Sequence, residues 1–143
     1  MPETKVVIAG AGIGGLAAAL ALLQRGIDAE VHEQADAFRE VGAGIQIGPN
    51  GSRVLLAMGL GPRLEGRVSE AAAKEVRLWN TGQKWPLFDL GDDCVKRFGA
   101  PYWLVHRGDL HAALVEAVQA LKPDAVRLDH RATGVTQDDR GAT

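Results

Sequence analysis

Apolar positions near the N-terminus form one short β-branched run and then a longer run, separated by glycines. Val6, Val7 and Ile8 lead straight into Gly10-Ala11-Gly12-Ile13-Gly14-Gly15. Residues 16–23 are apolar throughout, Gly26 lies just past them, and a second short strand over residues 29–32 ends on Glu33. The order predicts strand, glycine turn, helix and strand. Residues 34–41 are polar and predict no element, and residues 42–51 hold four glycines in ten positions, which reads as a loop. Residues 52–58 predict a short helix with Asn50 as N-cap and Gly59 at C′, and residues 60–65, with Pro62 near their start, predict one further turn.

The period then changes. Residues 76–90 alternate around Thr81-Gly82 and predict a β-hairpin whose Trp79, Trp85 and Phe88 serve packing. Residues 91–101 are charged and predict no element. Residues 102–106 predict a strand. Leu110, Leu114, Val118 and Leu121 then fall on one helical face that Pro123 ends. Residues 126–128 and 132–137 predict two last strands. Asp138-Asp139-Arg140-Gly141 reads as a hairpin turn whose returning strand, due near Ala142, is expected to be missing.

The first block has the layout of a dinucleotide-binding βαβ unit, and each residue type in it has a reason. Gly10 permits the tight turn, Gly12 lets backbone approach a pyrophosphate, and Gly15 lets the helix close on the sheet. Free N–H groups at the helix start favour an anion there. Glu33, eighteen residues after Gly15, is placed to accept hydrogen bonds from a ribose hydroxyl, and its charge repels a 2′-phosphate. The ligand expected is FAD or NAD, and not NADP.

Composition narrows this only a little. A chain of 143 residues with 46% hydrophobic and 24% charged positions is that of a single soluble domain. A formal charge of −2 gives no electrostatic argument for nucleic acid or an anionic membrane. The one cysteine, Cys94, reads as a packing residue and fits a reducing, cytoplasmic setting. The polar start Met1-Pro2-Glu3-Thr4 is not a signal peptide, and the first helix is too short to span a bilayer. His106 and His111 are poorly spaced for a metal; with His32 and His130 they read as structural or solvated, and no metal site is expected. Arg107 is more informative, because a cation at a helix N-terminus is on the wrong side of the macrodipole. Either a cofactor pyrophosphate or a surface carboxylate such as Asp109 would offset it, and dipole reasoning leaves both open.

Taken together, residues 5–34, residues 41–60 and residues 106–118, which begin His106-Arg107-Gly108-Asp109-Leu110, resemble the N-terminal part of the single-component FAD-dependent aromatic hydroxylases. Within that family the likeness is to salicylate, 3-hydroxybenzoate and 6-hydroxynicotinate monooxygenases. The resemblance implies an α/β, Rossmann-like FAD-binding domain with a mainly parallel sheet and an inserted hairpin, incomplete at its C-terminus. It implies that residues 76–90 belong to the sheet covering the substrate. By the same resemblance Gly10, Gly12, Ile13, Gly14 and Gly15 would meet the pyrophosphate of FAD and Glu33 its adenosine ribose. Gly44 and Ile45 would lie along the ribityl and flavin, Arg107 would contact FAD, and Ala132 would lie near the adenine. The implied reaction is hydroxylation of a small aromatic acid, with NAD(P)H and O2 as co-substrates and the oxygen chemistry supplied by the cofactor. The family's second FAD motif, a Gly-Asp followed by small residues, is not found here, and its catalytic bases lie downstream. The expectation is therefore a fragment ending inside a supersecondary unit, which as a separate chain would be inactive. A binding-only module and an NAD-binding dehydrogenase domain stand as alternatives, and the sequence sets no oligomeric state.

Overall fold

The computed structural model describes residues 4–39, 42–139 and 141–142. In chain order the elements begin with β1 (Lys5–Ala9), α1 (Ile13–Leu23), β2 (Asp28–His32), β3 (Gly44–Ile47), α2 (Pro49–Ala57) and α3 (Gly61–Leu64). There follow β4 (Val68–Glu70), β5 (Ala73–Arg77), β6 (Lys84–Asp89), α4 (Asp92–Phe98) and β7 (Trp103–His106). The chain continues through α5 (Arg107–Leu121), β8 (Val126–Arg127), β9 (Gln137–Asp138) and β10 (Gly141–Ala142). Two compact units are formed, one from residues 1–40 and 114–143 and the other from residues 41–113.

The first unit holds a parallel sheet in the order β1-β2-β8, with Val7 opposite Glu30 and Val31 opposite Val126. Central β2 buries Ala29, Glu30 and Val31, and α1 buries Leu16, Ala19 and Leu20. A Cβ at Gly15 would overlap the carbonyl oxygen of Gly10 and also meet the Ile8 side chain at 3.3 Å, so the close seat of α1 requires glycine there. Buried Glu30 is surrounded by cations. Its Oε1 lies 2.8 Å from Lys5 Nζ, 3.2 Å from Arg127 Nη2 and 3.5 Å from Lys122 Nζ, and His32 Nε2 is 3.5 Å from Oε2. The hydrogen bond from Lys5, with further help from His32 and Arg127, outweighs desolvation and lowers the Glu30 pKa to about 2. Lys122 also bonds Asp28 at 2.7 Å, the main reason that its own pKa is raised. The returning strand expected to be missing is present in short form, because β10 pairs with β9 and the Gly141 N–H donates to Asp138 Oδ1 at 3.1 Å; Arg140 of the predicted turn lies outside the described residues. The strand expected over residues 132–137 shrinks to β9, and residues 132–136 form no regular element.

In the second unit β7 is the centre of an antiparallel sheet, order β3-β7-β4, burying Trp103 and Val105 and exposing Leu104 and His106. The glycine-rich stretch expected as a loop instead supplies β3 and the start of α2. Pro49 takes the first helical position and Gly48 the N-cap, so Asn50 is inside the helix and not its cap. Gly59 has the φ of 76° that a C′ residue needs. Fully buried Ser52 donates from Oγ to the Pro101 carbonyl at 2.5 Å, and Arg53 reaches the Phe98 carbonyl. α4 was not expected from the apolar pattern, since it buries only Cys94. It is specified by its ends, with Asp92 and Asp93 in the first turn, Lys96 and Arg97 in the last, and Gly99 left-handed at φ 71°. A hairpin forms, but its first strand is β5 at residues 73–77 and not 76–80; every residue of both strands is exposed, and Trp79, Trp85 and Phe88 are exposed and do not pack as expected. α5 starts in this unit and from Leu114 belongs to the first; along it Leu110, Leu114 and Val118 are buried as expected and Leu121 is not.

Candidate dinucleotide site

The sequence between β1 and α1 folds into the turn its glycines allow. Gly10 has a φ of 99°, reserved in practice for glycine, and its N–H donates to the His32 carbonyl at 2.7 Å, closing the turn against the end of β2. Gly12 is the N-cap of α1. No side chain caps this end, and the first turn carries no acidic residue. The N–H groups of an uncapped first turn have no intrahelical acceptor, so an anion finds donors and a favourable dipole there. Cβ atoms built at Gly12 and Gly14 would meet nothing within 4 Å, so this mouth is open.

Glu33, directly after β2, faces this loop. Its Oε2 accepts the Ala11 N–H at 2.8 Å and its Oε1 the Ala35 N–H at 2.9 Å. These two bonds from backbone N–H groups fix the direction of the carboxylate, an acceptor of the kind a ribose hydroxyl needs. Beside it is a cleft of about 210 Å³ at the carboxyl ends of β1 and β2, where ligands of parallel α/β sheets bind. Its lining includes Gly10, Glu33, Gln34, His130, Arg131 and Ala132.

Residues 10–15, Glu33 and Ala132 are thus brought together in the first unit. Gly44, Ile45 and Arg107 are brought together in the second. Gly44 pairs with His106, Ile45 with Val105, and the Arg107 N–H donates to the Ala43 carbonyl at 3.2 Å. A Cβ at Gly42 would come within 3.3 Å of both Arg107 Cβ and the His106 ring, so glycine lets the approach to β3 lie against the start of α5. Sequence reasoning passed over Gln34, His130 and Arg131 at the cleft. His130 read as structural or solvated, and only its nearness to Ala132 hinted at more. Its ring meets that of His32 edge to face, with centroids 5.3 Å apart. Among the described residues no group of three or more His, Cys, Asp or Glu could hold a metal, and no helix is long and apolar enough to cross a membrane.

An open, uncapped helix mouth with a fixed carboxylate beside it defines a nucleotide-binding α/β protein, and its residues fit an adenine dinucleotide. The family is shown by comparison: the FAD binding domain family matches residues 3–143, and the chain belongs to it. This selects FAD over the NAD of a dehydrogenase. The chain is 43% identical over 139 residues to 3-amino-4-hydroxybenzoate 2-monooxygenase PtmB3 of Streptomyces platensis, covering 97% of this chain and 34% of that protein. It is 44% identical over 122 residues to 6-hydroxynicotinate 3-monooxygenase of Pseudomonas fluorescens, covering 85% and 31%. Among solved structures, Klebsiella pneumoniae HpxO complexed with FAD and uric acid matches with a TM-score of 0.79 and 28% identity, over 99% of this chain and 34% of that one. The chain spans about a third of the length of the curated relatives it matches.

Proposed function

We propose that this chain is the FAD-binding portion of a flavoprotein monooxygenase that hydroxylates a small aromatic acid with NAD(P)H and O2. The observation that carries the reading is the open α1 mouth with Glu33 fixed beside it, in a chain of the FAD binding domain family. In this reading the backbone of Gly10, Gly12, Ile13, Gly14 and Gly15 holds the pyrophosphate, and Glu33 accepts from the ribose. Ala132 borders the adenine, Gly44 and Ile45 follow the ribityl and flavin, and Arg107 donates to the cofactor. Bound FAD would supply the redox and oxygen chemistry, while this chain's residues hold and orient it. An aromatic acid substrate is supported by the names of the relatives, both of which denote hydroxylated aromatic carboxylic acids. The exposed β5–β6 hairpin is assigned to the sheet that covers the substrate, an assignment supported by the exposure of both its faces. The lone buried cysteine, Cys94, supports a reducing, cytoplasmic setting.

The test is titration of the purified protein with FAD, followed by flavin fluorescence, and then NADH and NADPH oxidation with hydroxybenzoates and hydroxynicotinates. Saturable binding at one FAD per chain is expected, with oxidation stimulated by an aromatic acid in the intact enzyme of which this chain is the FAD-binding portion and no turnover by the 143-residue chain alone. Failure of the intact enzyme to bind FAD would overturn the reading; its binding FAD without stimulated oxidation would leave a binding module and remove the enzyme.

A further inference from the structure

The cleft beside Glu33 has an outer wall that the glycine fingerprint does not describe. After β8 the chain turns at Asp129, whose φ of 57° makes it the one non-glycine residue with positive φ among the described residues. Aspartate is among the few types that tolerate this region, and such conformations persist where the surroundings hold them. Here they do. The Asp129 N–H donates to the Ala35 carbonyl at 2.9 Å and the His130 N–H to the Glu33 carbonyl at 2.8 Å. The wall therefore hangs on the same backbone that carries the cleft's carboxylate. His130 is fixed twice more, by Nδ1 at 2.6 Å from the Leu128 carbonyl and by the edge contact with His32. The next residue, Arg131, lines the cleft yet is exposed and makes no hydrogen bond or ion pair among the described residues.

We propose that Arg131 is a binding and specificity residue for the base of the dinucleotide, its guanidinium plane lying over the adenine ring. The inference rests on the FAD reading above and goes further by naming what recognises the base. A dinucleotide runs in the order phosphates, ribose, adenine. The open amides of α1 suit the phosphates and Glu33 the ribose, so the part that reaches Gln34 and Arg131, past Glu33, is the base. Guanidinium is planar, weakly hydrated and attracted to π faces, so stacking uses it better than a point charge would be used.

Isothermal titration of the intact protein with ADP and UDP tests this, because a purine offers the larger face. Arg131→Ala is expected to weaken ADP binding by about 3- to 30-fold and UDP binding by less, lowering the preference for ADP. Arg131→Lys keeps the charge without the plane and should resemble the alanine variant. Unchanged ADP affinity in Arg131→Ala, or full rescue by lysine, would overturn the proposal while leaving the FAD reading in place. A wild-type protein that binds neither ADP nor FAD would instead remove the reading beneath it.

Discussion

Strand β2 and the hairpin β5–β6 are built from strands of similar length, yet β2 buries three of its five residues and the hairpin buries none. β2 has a partner on each edge and α1 packed on it, so even Glu30 is drawn inside and matched with Lys5, Lys122 and Arg127. The hairpin has only its own two strands. Trp79 is 93% exposed and Phe88 60%. A lone two-stranded hairpin is marginal in water. Aromatic content therefore does not mark a core by itself. What decides is how many neighbours the topology supplies.

Substitutions test how far the supply of neighbours sets burial. The largest effect is expected for Gly15→Ala, because the new Cβ would overlap backbone at Gly10 and α1 would have to move off the sheet. A loss of about 3 kcal/mol or more is expected in urea unfolding, and a loss below about 1 kcal/mol would show that the helix seat is loose. Arg107→Ala should weaken FAD retention by about 1.5–3 kcal/mol through loss of a charged hydrogen bond. Equal FAD affinity in the two proteins would take Arg107 out of the site.

Glu30 provides a test in pH. Its folded pKa of about 2 lies below its ordinary value of 4.5, so the native state holds the carboxylate ionised more strongly than the unfolded chain does. That stability is fully present above the ordinary carboxylate range and is lost as pH falls from 4.5 towards 2. Glu30→Gln should cost about 1–3 kcal/mol at neutral pH and flatten the acid limb of the stability curve. An unchanged limb would mean that other carboxylates set it. The smallest effect is expected for Trp79→Ser in the hairpin, within about 0.5 kcal/mol in thermal unfolding; a large loss would show that Trp79 is covered in solution.

The first βαβ unit was legible in the sequence because local and tertiary signals agree there. Gly10 needs its positive φ, Gly15 needs its missing Cβ, and Glu33 ends the strand that places it. Elements specified by one kind of signal were harder to read. α4 has almost no buried face, so its charges and Gly99 define it where periodicity cannot. β3 read as a loop because glycines weaken strand propensity; it is made by pairing with β7, more than fifty residues downstream. The cleft wall at Arg131 follows from a left-handed Asp129 held by distant carbonyls, and no local pattern announces such a turn.

The two backbone bonds to Glu33 have a bearing on how quickly a ligand is captured. Because Ala11 and Ala35 already orient the carboxylate, no rotamer search by this side chain stands between encounter and grip. In the FAD reading proposed above, recruitment of the sugar then becomes a matter of arrival and of shedding water. The pocket's readiness is set when the polypeptide folds, before any nucleotide is near.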